Sequence, residues 1–100
     1  MLGADAGLIG ASDAVRGRFA AVRGDLDRAV ELLEAGHAMH TRLGLLQLSV
    51  ETGIDLGILL LRRDQPGDAD RATELLRSTA ALANTIGMIP AETRARALIT

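Results

Sequence analysis

The sequence contains no lysine, cysteine, tryptophan or tyrosine, and Phe19 is its only aromatic residue. Each absence removes chemistry. Without lysine there is no Walker-type Gly-Lys-Ser/Thr phosphate loop, no Schiff base and no Ser-x-x-Lys nucleophile. Without cysteine there is no thiol catalysis, no disulfide and no thiolate metal site. All eleven basic residues are arginine, and a formal charge of −2 offers no general polyanion-binding surface. The longest strongly apolar run, Ile58–Leu61, falls far short of the roughly 20 residues that span a bilayer. A secretory signal needs an early basic segment, and the first arginine is Arg16. The chain is therefore expected to be cytoplasmic, non-enzymatic and free of cofactors, with no nucleic acid or membrane bound through it.

What is present favours helix. Alanine and leucine make up a third of the 100 residues, against four valines and six isoleucines. An internal repeat organises them. Residues 24–29 read Gly-Asp-Leu-Asp-Arg-Ala and residues 67–72 read Gly-Asp-Ala-Asp-Arg-Ala, and aligning 24–44 with 67–87 gives ten identities in 21 positions. The ordered Gly-Asp-x-Asp-Arg-Ala block is more than alanine and leucine bias produces.

Each copy reads as a helix pair. In the second helix of copy one, Ala29, Leu32, Leu33, Gly36, Met39, His40 and Leu43 follow the three-and-four spacing of one buried face. Arg28, Glu31, Ala35, Ala38 and Arg42 fall opposite. Asp25 or Asp27 caps its start and Gly44 is placed to end it in a left-handed conformation. Copy two repeats the design, with Ala72, Leu75, Leu76, Thr79, Leu82, Ala83 and Ile86 inward and Gly87 at the stop. The first helix is expected from Ser12, as N-cap, to Arg23. Its apolar edge is Val15, Phe19 and Val22, and its small face is Ala14, Gly17 and Ala21. The third helix, from Leu45 to Arg63, is apolar on two sides and must be sandwiched. Pro90 suits the first turn of a last helix.

The expected fold is all-α. Two antiparallel helix pairs, about 12–44 and 45–87, and a terminal helix, 90–99, form a right-handed superhelical stack behind a Gly-rich lead-in, 1–11. Stacked arrays generally need about three repeats with polar caps, so self-association or an origin in a longer chain is expected.

At these residues the chain resembles tetratricopeptide-type repeats. Gly17 and Gly57 take the small position of each first helix, Ala29 and Ala72 the small position opening each second helix, and Leu33 and Leu76 the large apolar position four residues on. The aromatic positions carry Ala20 and leucines instead, and the spacing is 43 where the standard repeat has about 34. Longer, aromatic-poor repeats with a His-x-Arg-Leu-Gly segment, here His40–Gly44, resemble the C-terminal arrays of large ATP-binding bacterial regulators, typically actinobacterial, of the LuxR or cyclase type. The resemblance implies a protein–protein interaction scaffold. None of the ATP-binding or DNA-binding motifs of such regulators is present, so neither activity carries over.

Other patterns have simpler explanations. His37 and His40 stand three apart on one helix, which gives the alternative of a small ligand- or metal-binding domain, but the repeat equivalent of His40 is Ala83, a core position. No metal site is therefore assigned. Gly3, Gly7 and Gly10 lack the spacing and preceding strand of a dinucleotide loop. Ser12 is explained as a cap, Ser49 and Ser78 have no local His and acid, and the pairs Asp25/Asp27 and Asp68/Asp70 recur in the same turn, as capping and solvation require. Arg62 and Arg63 sit where the helix dipole favours them. The one feature with a functional reading is a polar stripe on the third helix, Gln47, Glu51, Asp55 and Arg62. First helices line the concave, ligand-binding surface of such arrays, so this stripe is the candidate partner-binding site.

Overall fold

The small-residue positions Gly17, Ala29, Gly57 and Ala72 are buried, while the two Gly-Asp segments fold differently. A computed structural model describes residues 6–100, with side chains from residue 13 onward. Every regular element among them is an α-helix: α1 (Ala6–Val22), α2 (Leu26–Arg42), α3 (Leu46–Arg63), α4 (Asp68–Thr85) and α5 (Ile89–Ala97). Links of three or four residues make successive helices antiparallel neighbours. None of the described helices is long and apolar enough to cross a membrane.

The helix ends are chemically similar. Gly44 and Gly87 follow α2 and α4 with φ of 71° and 81°. The next amides, of Leu45 and Met88, donate to the carbonyls of His40 and Ala83 at 2.9 and 2.8 Å. These are Schellman stops, which glycine adopts without a Cβ penalty. Gly24 ends α1 in the same way. Asp25 then caps α2, accepting from the Arg28 amide at 3.3 Å. The link from α3 to α4 differs, because Pro66 disfavours helix at Gln65 and α3 stops at Arg63 with Asp64 left-handed at φ 52°.

Inside each pair a glycine lets the two backbones approach. A Cβ on Gly17 would lie 3.0 Å from Leu33 Cγ, and one on Gly57 would lie 2.6 Å from Leu76 Cγ. Ala29 and Ala72 are fully buried beside them. Two clusters make the core. The first joins Ala14, Ala20, Ala29, Val30 and Leu33 to Leu56, Leu59 and Leu60; the second joins Val50, Ile54, Leu76, Ala80 and Ala83 to Ala95. Helix α3 contributes to both, with opposite sides, so it is sandwiched as expected.

Three expectations are corrected. Helix α1 begins at Ala6, so Ser12 lies inside it and is no N-cap. Gly7 and Gly10 each cost about 1 kcal/mol relative to alanine, yet the helix runs through both. Residues 1–5 of the expected lead-in lie outside the described residues. Val15, Phe19 and Val22 do not face the core: all three are exposed, and the buried side of α1 is the small one, Ala14, Gly17 and Ala20. The apolar trio shares a helix edge, but α2 lies close only against residues without bulk. Asp68 is no solvated cap. It is buried, and Arg63 donates to both its oxygens, from Nε at 2.8 Å and Nη2 at 2.9 Å. The Arg63 guanidinium holds the Asp68 carboxyl down to about 2, so Arg63 is a structural ligand as well as a C-terminal charge.

The glycine contacts set a stability test. Alanine at 57 gains about 1 kcal/mol of helix propensity but must overpack a buried leucine, at about 1–3 kcal/mol. Gly57→Ala is expected to lower the urea midpoint, while Gly17→Ala, with its milder contact, stays within about 1 kcal/mol of wild type. A midpoint for Gly57→Ala at or above wild type would show the approach to be loose.

Candidate functional site

Helices α1, α3 and α5, alternate helices along the chain, border one groove. Its cavity of about 430 Å3 is lined by Arg18 of α1, by Glu51, Ile54 and Asp55 of α3, and by Pro90, Ala91 and Arg94 of α5. Short links bring these helices to the same side, and α3, held on both flanks, puts its polar edge in the middle. Arg18 Nε and Nη2 donate to Asp55 Oδ2 at 2.8 and 2.6 Å, tying α1 to α3 across the groove.

Of the four stripe residues, two meet here. Glu51 is exposed and Asp55 half-buried in the groove. Gln47 lies one turn before Glu51 in α3's N-terminal part, beside a separate apolar hollow formed with Leu45, Leu46, Leu48 and Ile86. Arg62 is exposed at the far end of α3, about 22 Å from Gln47 along the helix axis. Ile58 and Leu59, both packed on the core, stand between Asp55 and Arg62, so the stripe is not one site. Arg18 and Arg94 are the groove residues that sequence reasoning missed. For Arg94 a signal existed, since it stands 43 residues after Glu51, the repeat spacing.

The two histidines lie behind this groove, between α2 and α3. The Thr52 hydroxyl donates to the Leu48 carbonyl at 2.9 Å. Its oxygen is then left to accept from His37 Nδ1 at 3.0 Å and, more weakly, from His40 Nδ1 at 3.4 Å. That arrangement puts the ring proton of each histidine on Nδ1. His40 is 1% exposed, and its Nε2 has no partner among the described residues. Burial pushes both histidines below their usual range. The neighbouring His40 ring lowers His37 further, and the Arg18 charge adds to the effect on His40. Among the described residues no group of three or more His, Cys, Asp or Glu stands close enough to hold a metal ion.

No protein-family model, curated protein or solved structure matches the chain. The chain's own repeat is therefore the standard of comparison. At the next interface, between α4 and α5, His37, His40 and Thr52 are replaced by Ala80, Ala83 and Ala95, all fully buried. One polar contact is kept: Thr41 Oγ1 bonds Ser49 Oγ at 2.8 Å, and 43 residues later Asn84 Nδ2 donates to Glu92 Oε1 at 3.1 Å. The two interfaces share one geometry, and the imidazole cluster is particular to the first.

Because the folded-state pKa of both histidines is lowered, neutral imidazole is the native form. The folded chain binds fewer protons than the unfolded one below about 6.5, so stability is present above that pH and is lost as pH falls. The thermal midpoint is expected to drop between about pH 7.5 and about pH 5.5, before the carboxylates titrate. In the triple variant His37→Ala, His40→Ala, Thr52→Ala, which copies the α4–α5 interface, the midpoint is expected to change less over that range. Equal slopes for the two proteins would disprove the assignment.

Proposed function

We propose that the chain is a protein–protein interaction scaffold of tetratricopeptide-like helix pairs wound in a right-handed superhelix, and that the groove between α1, α3 and α5 is its binding face. The observation that carries the reading is that three alternate helices supply its walls, with both signs of charge around an apolar floor. Pockets for small molecules are mostly apolar and enclosing. This shallow groove has Arg18, Glu51, Asp55 and Arg94 on its rim, which suits the alternating side chains of a peptide segment. The Arg18–Asp55 pair holds the walls in place before any partner arrives, so little ordering cost falls on binding.

The 43-residue spacing and the His40–Gly44 segment support a narrower reading: a piece or relative of the C-terminal helical array of a bacterial transcriptional or signalling regulator of the LuxR or cyclase type. In such a protein the array binds and positions, and another domain carries the output. Protein or peptide is then the partner class, with self-association as the other means of covering the stack.

Glu51 and Arg94 are exposed, so reversing them leaves the core intact. Glu51→Arg and Arg94→Glu are each expected to weaken capture of a cellular partner by about tenfold, while Arg77→Glu, on α4, leaves it unchanged. Capture that survives both groove variants would remove the groove from the reading.

A further inference from the structure

Among the described residues, no helix covers the face of the first pair that corresponds to the face the second pair turns to α2. Between the pairs, Leu56 and Leu59 of α3 join Ala29, Val30 and Leu33 of α2 in one cluster. Two arginines of the second pair close over this contact. Arg63 Nη1 of α3 reaches Asp27 Oδ1 at 3.3 Å, and Arg71 Nη2 of α4 bonds Glu34 Oε2. Helix α2 thus meets the second pair with two carboxylates seven residues apart and the buried Val30 between them.

The glycine contacts give the correspondence between pairs. Gly17 matches Gly57 in the first helices, a shift of 40, and Leu33 matches Leu76 in the second helices, a shift of 43. By these shifts Phe19 corresponds to Leu59, Arg23 to Arg63, and Arg28 to Arg71. The residues are equivalent, but their surroundings are not. Leu59 is 4% exposed and Phe19 is 62% exposed. Arg28 pairs only with Glu31 of its own helix, and Arg23 has no ion pair among the described residues. Phe19 and Leu32, with Arg16, Arg23 and Arg28 around them, wall a slot of about 260 Å3.

We infer that this slot on the outer side of α1 is a docking surface for an acidic amphipathic helix of a partner protein. The docked helix follows the pattern of α2: an aliphatic residue seated on Phe19 and Leu32, with a carboxylate three residues before it for Arg23 and another four residues after it for Arg28. The internal α2 contact supplies the geometry, and the arginine rim supplies the charge. A second copy docking through its own α1 would set Arg16, Arg23 and Arg28 against themselves, which disfavours that occupant. Exposed ion pairs change binding by about fivefold at most, so the aromatic anchor carries the affinity and the arginines set the register. The surface is separate from the groove between α1, α3 and α5.

The probe is a peptide of residues 25–43 of this chain, stapled into a helix across positions 31 and 35, both on its exposed face. Titrated into the intact protein and followed by fluorescence anisotropy, it is expected to bind one-to-one. Phe19→Asp, a change at an exposed site, is expected to weaken it at least about tenfold. The double variant Arg23→Glu, Arg28→Glu is expected to weaken it about tenfold, and a peptide carrying Asp27→Arg and Glu34→Arg restores binding to that variant. Restoration keeps the test informative even where Phe19→Asp fails to fold. Absence of saturable binding overturns the proposal. So does binding unaffected by Phe19→Asp, the result expected of a peptide that exchanges with the chain's own α2. So does a wild-type dimer in ultracentrifugation that the Phe19→Asp variant loses and the peptide does not dissociate.

Discussion

Two glycine–leucine contacts govern the architecture. Gly17 against Leu33 and Gly57 against Leu76 let the backbones of each pair come together closely. Ala29 and Ala72 are then shut off from solvent. Leu33 and Leu76 fill the inside of each pair beside the small groups, and Leu56 and Leu59 find burial between the pairs. Helix α3 carries these leucines toward the first pair, and Val50 and Ile54 toward α4 of its own pair and Ala95 of α5. Stacking adds burial that one pair alone does not give: Leu56 and Leu59 are covered by α2 of the first pair.

The interface between α2 and α3 adds a polar element to that scheme. One threonine hydroxyl serves a backbone carbonyl and two imidazoles, where the next interface has three alanines. A buried polar cluster gives up some stability relative to apolar packing, and in exchange it admits only one register, since a shift would strand its nitrogens. His40 Nε2 already lacks a partner among the described residues, which makes this the less tolerant of the two interfaces. The Arg63–Asp68 pair works similarly in the turn between α3 and α4, holding the irregular Asp64–Gly67 link to the start of α4.

The second helices were legible because their residues alternate cleanly between polar and apolar at helical spacing, and a Gly-Asp turn and a glycine stop bracket each one. The first helices were less so. The periodicity of α1 groups Val15, Phe19 and Val22 correctly on one edge, but periodicity says which residues share a face and not which face another helix covers. Glycine count also hid the start of α1, since local propensity is a weak term once a helix has a packing partner. The groove was half-visible: Glu51 and Asp55 stood out as polar residues on an apolar helix, whereas Arg18 and Arg94 looked like any exposed arginine.

The sequence by itself determined the helix pairs, their stops and the small positions where they touch, because these depend on local backbone chemistry and on a repeat that any alignment of the chain with itself reveals. Only the tertiary structure decided what faces what. It set Asp55 against Arg18, Asp68 against Arg63, and both histidines on Thr52. It also left Phe19 in solvent while its equivalent Leu59 is buried. Those outcomes turn on distances between residues far apart in the chain, and an exposed charge or aromatic has the same local pattern whether or not another helix lies against it.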